Sequence, residues 1–287
     1  MTSRGLVTMA AAFMLGACGG QPEAPAPAPI ELSYTLPGVN PITYSVVDTA
    51  RVNIQVAPGQ SMEQTMGQSS TVRLSFAPIV GTAGNLSVTA SYVDYDAFME
   101  SSMMPRQDIG AEGLEGEFVL SLTPRGELEL VSGPELPEAV EQMSMGDNRF
   151  ADLFLRLPDE VVAPGATWSD TIRTESESDG AHTIHEATVV SMFRGDTTIA
   201  GRTLWIIEST KTTNVIVEGE MQGMSMRNEL GGSLAELVFW DPARRLLHSS
   251  RTSGSMSGTV SIPGAGMDDI PLDVTTTRHV RLAESGT

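Results

Sequence analysis

Residues 52–56 read Val52-Asn53-Ile54-Gln55-Val56, residues 72–76 Val72-Arg73-Leu74-Ser75-Phe76, and residues 86–89 Leu86-Ser87-Val88-Thr89. Apolar and polar side chains alternate strictly in all three. A period of two places one set on each side of a pleated strand, the pattern of a half-buried antiparallel sheet. Phe118 to Leu122 and Leu128 to Val131 repeat it around Thr123-Pro124-Arg125-Gly126, which has the chemistry of a tight turn. Leu204-Trp205-Ile206-Ile207 and Leu237-Val238-Phe239-Trp240 are apolar at every position and predict strands buried on both faces. Gly195-Asp196, Asp241-Pro242 and Pro263-Gly264 read as breaks between strands. The expectation is a mainly-β chain: a curved antiparallel sheet, as a half-barrel or two related β-rich halves, with one apolar and one acidic face. Arg51–Val56 followed by Val72–Phe76 has a counterpart in Thr213–Val217 followed by Leu234–Phe239, which suggests a duplication, but the identities are few and shared β composition is the simpler account.

Two stretches leave the period of two. Pro134 to Met145 carries Leu136, Ala139, Val140 and Met143 at helical spacing. After Asp147-Asn148, Phe150, Leu153, Phe154 and Leu157 follow at i, i+3, i+4 and i+7, and Pro158 ends the run. These residues predict a short helical connector over 134–158, placed to cap the opening of the sheet. Asp94 to Met104 is a third candidate helix. The resulting division is residues 30–133, the connector 134–158, and residues 159–287.

Composition restricts function. The 287 residues include 17 basic and 36 acidic side chains, a formal charge of −19. That balance argues against nucleic acid, whose phosphates need a basic footprint. One Cys excludes a disulfide framework or a zinc ribbon. The 40% apolar content suffices for a packed core.

Residues 1–20 read MTSRGLVTMAAAFMLGACGG. Arg4 precedes an apolar run, Leu6 to Leu15, that is too short to span a bilayer and has the layout of an export signal. The run ends in Leu15-Gly16-Ala17-Cys18, and this resembles the lipobox of bacterial lipoproteins. The resemblance implies a signal peptide over 1–17, cleavage before Cys18, a diacylglycerol on the Cys18 sulfur and acylation of the new amino terminus. It further implies export and attachment to the cell envelope, with Gly19 favouring the outer membrane in a Gram-negative source. Residues 18–29, with Pro22, Pro25, Pro27 and Pro29, read as a polyproline-like tether of about 30 Å.

In the body, Leu157-Pro158 and Pro164-Gly165-Ala166-Thr167-Trp168 resemble a stretch of uncharacterised bacterial lipoprotein domains, and Pro164-Gly165 sets a turn before Trp168. The long strands and connector are similar in pattern to the half-barrel of periplasmic lipoprotein-carrier and lipid-binding lipoproteins. Neither likeness transfers a binding site.

Chemistry-bearing clusters are sparse. His182 and His185 lie three apart on a strand, hence on opposite faces, and read as exposed residues and not as a metal pair. Met221, Met224 and Met226 would suit Cu(I), but Met221 and Met224 also read as opposite-faced, and Met is used throughout as a flexible filler. A Met-lined concave face would instead suit a deformable apolar ligand. There is no Gly-x-Ser-x-Gly elbow, calcium loop or phosphate-cradling loop. Asp268-Asp269 and Glu175 with Glu177 read as solvated carboxylates. Lys211 is the single lysine and has no role in this reading. Phe150, Phe154, Trp168, Trp205 and Trp240 are expected in the core or at its rim. The expectation is therefore a lipid-anchored, non-catalytic binding protein with no cofactor and no metal. It holds an apolar small molecule or an envelope protein. The alternative is a structural lipoprotein docking to an envelope complex without a ligand cavity.

Overall fold

The computed structural model describes residues 29–57, 59–82, 84–137, 140, 150–178, 181–221 and 224–283; Cys18 and most of the tether lie outside them. The strands are β1 (Ile42–Ala57), β2 (Gln60–Pro78), β3 (Leu86–Ser101), β4 (Gln107–Ile109), β5 (Phe118–Leu122) and β6 (Leu128–Ser132). There follow β7 (Thr167–Ser178), β8 (Ala181–Ile199), β9 (Arg202–Met221), β10 (Met224–Asp241), β11 (Leu246–Ile262) and β12 (Met267–Leu282). All belong to one antiparallel sheet in the order β6-β5-β3-β2-β1-β12-β11-β10-β9-β8-β7, with β4 added to the end of β3. Strands β7 to β12 form a continuous meander, and the first and last long strands meet at the centre, where Tyr44 pairs with Leu282 and Ile54 with Leu272.

The alternation read from the sequence sets the two faces. On β1, Ile42, Tyr44 and Val46 are buried while Ser45 and Val47 are exposed, and β10 alternates without a break from Met224 to Leu237. The inward set builds one principal core at one end of the sheet. Two irregular segments fill that end: residues 30–36, led by Leu32 and Tyr34, and residues 150–162, led by Phe150, Leu153, Phe154 and Leu157. Tyr34 joins them, its ring edge-on to Phe154 and Trp240 and its hydroxyl accepting the Leu155 N–H at 2.7 Å.

The sheet is rolled, and Arg156 measures how far. Its guanidinium lies 3.8 Å from Glu127, beside β6, and 3.5 Å from Asp170 on β7. The two edge strands therefore stand on either side of one side chain, and residues 150–157 occupy the gap between them. Inward glycines accommodate the curvature where β10 meets β11. In register, Leu230 faces Gly258, Gly232 faces Met256 and Leu234 faces Gly254. A Cβ on Gly258 would run into the Glu229 carbonyl and stand 2.9 Å from the Leu230 Cα. Only a residue without a side chain permits such an approach.

Several sequence-based expectations are corrected. Residues 134–137 are irregular, Val140 is helical, Ala151–Leu153 form a single 3-10 turn, and residues 155–157 are irregular after a bend at Phe154. The helical connector is thus not found over 150–158; around Val140, residues 138, 139 and 141–149 lie outside the described set. Phe150, Leu153, Phe154 and Leu157 are nevertheless all buried, because a segment wedged between a sheet face and two strand edges can bury side chains at many spacings. Asp94 to Ser101 belong to β3, since backbone pairing with β2 and inward packing of Tyr95 and Ala97 outweigh local helix preference. Gly195 marks a bulge inside β8, with Asp196 continuing the ladder, and no break falls there. The apolar runs in β9 and β10 are not buried on both faces: Leu237 is exposed and Ile206 and Phe239 half-buried. A single sheet has only one packed side.

The outer face is rich in Ser and Thr, and its charges pair across strands, Arg173 with Glu186, Arg194 with Glu208 and Arg227 with Glu218, so it is mixed in sign and not simply acidic.

Candidate functional site

The inner face changes character along its length. Beyond the core, at mid-sheet, it carries ionisable side chains on the same strand parity as buried apolar residues, with buried hydroxyls (Ser209 and Thr213 beside Lys211) between them. Lys211 shares its face with Ile207 and Val215, Glu236 with Leu234 and Val238, and His185 with Ala187 and Val189. Asp48 lies between Val46 and the inward Ala50 and Val52, and Arg278, its cross-strand partner, between Val274 and Val280. Charge on the inward parity of a half-buried strand is the sequence signal for these residues, and it places Lys211, the single lysine, on the inner face.

Of these, Lys211, Glu236 and His185 line a cavity of about 90 Å³. Residues 151–156 and Leu128 form one side, and Ile172, His185, Val189, Lys211, Glu236, Val238 and Leu247 the other. Arg278 is neutralised by Asp48 and by Asp152 of the 3-10 turn, which ties the filling segment to the sheet. Arg156 has its own carboxylates. Lys211 differs: among the described residues no carboxylate lies within 4.0 Å of its amine, and no hydrogen bond holds it.

Burial governs the protonation of this group. It lowers the Lys211 pKa, an effect partly offset by Glu236. It raises the Glu236 pKa, against the Ser250 hydroxyl, the Lys211 charge and the Thr252 hydroxyl. The His185 imidazole is held below its ordinary pKa by burial and by the Lys211 charge. With the Thr213 hydroxyl directed at the Glu186 carbonyl at 3.4 Å, the His185 Nε2–H donates to that hydroxyl at 2.8 Å. His185 is therefore an inward, half-buried residue, which corrects its reading as exposed. His182 lies on the opposite face, as its spacing predicts.

Past this belt the inner face turns apolar again. Met256, Leu272 and Val274 are buried, with Val52, Ile54, Leu230 and Val260 half-buried around them. Every member of this cluster is on the sheet, and among the described residues no filling segment packs on it. Half-buried Met62, Met66, Met99 and Met226 occupy inward positions nearby. Met221 and Met224 are not on opposite faces of one strand; a hairpin turn falls between them and they are cross-strand partners. Among the described residues no three His, Cys, Asp or Glu side chains are grouped to hold a metal. No described helix is long and apolar enough to cross a membrane. A larger depression of about 350 Å³ beside Glu63, Glu100 and Arg106 is open to solvent, and all three charges are exposed.

Of the aromatic candidates, Phe150, Phe154 and Trp240 are core, while Trp168 and Trp205 are half-buried at its margin. Trp168 follows the turn at Gly165, as read, and its Nε1–H donates to the Arg156 carbonyl at 2.9 Å.

No family model matches the chain, and no curated protein matches it significantly. Two solved structures are similar over most of its length. One is a Bacteroides fragilis protein named as exported, with a YmcC-like fold, at 10% identity, covering 88% of this chain and 100% of that one with a TM-score of 0.26. The other is DynF from the dynemicin biosynthesis pathway of Micromonospora chersina, at 10% identity, covering 92% of each chain with a TM-score of 0.25. At such TM-scores neither likeness bears on function.

Proposed function

We propose that this chain is an exported, lipid-anchored envelope protein that holds an apolar ligand on the inner face of its rolled sheet and performs no chemistry on it. The observation that carries the reading is the second apolar cluster of the inner face, a belt of buried Met256, Leu272 and Val274 with half-buried Val52, Ile54, Leu230 and Val260, on which no filling segment packs among the described residues. Natural chains keep contiguous apolar patches outside their principal core where something binds. The surrounding methionines suit a flexible chain, since the thioether side chain adapts its shape at little cost. The anchor rests on Leu15-Gly16-Ala17-Cys18. Acyl groups there would hold the body at the membrane, each buried CH₂ contributing about 0.8 kcal/mol.

Native mass spectrometry of protein extracted from membranes in mild detergent, followed by uptake of a fluorescent fatty acid by the delipidated form, tests both parts. Co-purifying acyl species, saturable uptake, and release of a Cys18→Ser variant into the soluble fraction are expected. A ligand-free protein with no saturable uptake would remove the ligand, and a Cys18→Ser form that stays membrane-bound would remove the anchor.

One observation favours a second reading, docking to an envelope protein. Strand β7 is a 12-residue edge, paired on one side only, and such an edge can accept a partner strand. Crosslinking from β7 that recovers one stoichiometric partner would support it.

A further inference from the structure

The apolar belt and the mid-sheet cavity are neighbours on one surface, and register connects them. Lys211 pairs with Leu234, Leu234 with Gly254, and Gly254 with Thr276. One inward step further along the same strands lie Gly232, Met256 and Val274. With strands spaced about 4.8 Å apart, the path from β9 across to β1 covers about 19 Å, a span an extended acyl chain bridges.

The cavity at the Lys211 end is small. Its volume, about 90 Å³, equals roughly three waters. It admits a head group and no acyl chain. Its chemistry is also lopsided. Arg156 has carboxylates beside it, Glu127 and Asp170, while Lys211 offers three ammonium donors with no ion pair or hydrogen bond among the described residues.

We infer that the ligand is a single-chain amphiphile with a carboxylate head, which enters the cavity and pairs with Lys211 while its chain lies on the apolar belt toward β1. This rests on the apolar-ligand reading above and names the class of ligand. A bound carboxylate supplies the counter-charge the fold leaves out. Glu236 does not fill that role, because it stands diagonally to Lys211, two residue pairs along the β9–β10 ladder, and beyond ion-pair range. Burial also favours its protonated form. A protonated Glu236, with the Ser250 and Thr252 hydroxyls beside it, can donate to a ligand oxygen where an ionised one would repel it.

The experiment compares palmitate with hexadecanol, the alcohol of equal chain length, on delipidated wild type and on Lys211→Met, with hexadecyltrimethylammonium as the cationic control. Wild type is expected to bind palmitate about tenfold or more tightly than hexadecanol, the value of one charge-assisted contact. Lys211→Met is expected to lose that preference while holding hexadecanol as wild type does. Equal binding of palmitate and hexadecanol by wild type, tighter binding of the cation, or undiminished palmitate preference in Lys211→Met would each overturn the inference and leave an apolar ligand standing. Failure of all three probes to bind wild type would overturn the ligand reading with it. Since the chain has a single lysine, ¹³Cε-lysine labelling gives a single side-chain resonance in the unaltered protein. Palmitate must shift it and hexadecanol must not, a test that holds whether or not the variant folds.

Discussion

Glu236 sits between Leu234 and Val238, where a chain built only for stability would place leucine, and Lys211 lies between the buried hydroxyls of Ser209 and Thr213. Each is half-buried, and for each burial is the largest influence on its pKa. Taking ions out of water costs more than a loosely coupled partner returns, so such pairs are seldom kept for stability alone. A pH test follows for Glu236, whose folded pKa is raised. The native state then binds its proton more tightly than the unfolded chain does. The associated stability is complete below the ordinary carboxylate range, near pH 4.5, and is lost as pH rises through the folded value. Glu236→Gln has no proton to lose. It should match wild type in urea at about pH 4 and show the higher midpoint at about pH 8. A midpoint difference that does not change with pH would contradict the assignment. The same residues bear on what could be read in advance. Face parity was visible in the sequence and identifies all five inward charges, but spacing alone could not reveal that Lys211 lacks an ion pair while Arg278 has two carboxylates. That depends on Asp152 arriving from a different segment.

At the scale of elements, the strands were legible because their pattern and their pairing agree. Phe118 to Leu122 became β5 at the bounds read, and the turn at 123–126 is held by Thr123, whose hydroxyl accepts from the Glu127 N–H at 3.1 Å. The segment at 150–157 was read as a helix because Phe150, Leu153, Phe154 and Leu157 have helical spacing. It became a wedge because its backbone groups find partners outside itself: Leu155 N–H at Tyr34 and Leu157 N–H at the Arg125 carbonyl, 2.9 Å away. Curvature was not legible at all, since a glycine in a strand reads as weakness until its neighbour is known. Gly258 gives the test. A methyl group there meets the β10 backbone, and the strand must move. Gly258→Ala should cost about 1–3 kcal/mol, lowering Tm by about 2–4 °C per kcal/mol in a chain of this size. Gly38→Ala, with nothing within 4 Å of the added carbon, serves as the neutral control. Equal melting temperatures for the two variants would show that inward glycine does not set the β10–β11 approach.

The whole molecule is closed at its centre by its ends. Asp48 on β1 and Arg278 on β12 are paired although 230 residues apart, and Ala283 N–H donates to the Thr43 carbonyl at 2.7 Å. The two halves of the chain therefore build one sheet, and whatever holds β1 to β12 holds both. The two outer edges are less open to indiscriminate pairing. Strand β6 is five residues long, and β7 exposes Arg173 and Glu175 and is flanked by Arg156. Strands β1 and β11 are long and interior in the intact protein; β1 is apolar at most alternate residues, and β11 presents Met256, Val260 and Ile262 among serines, threonines and glycines. A chain ending at Gly266, and so lacking β12, would turn both into open edges at mid-sheet. Each would then offer a row of unpaired N–H and C=O groups beside apolar side chains, the template for edge-to-edge association. Long-range pairing of this kind also forms late, since loop closure must precede any return from contacts. The truncated chain should show no cooperative urea transition and should elute from a sizing column as aggregates, whereas the full chain gives one transition and a discrete peak. A truncated chain that stays monomeric and unfolds cooperatively would mean that each half is stable alone, and that the β1–β12 seam joins two finished units and does not complete one.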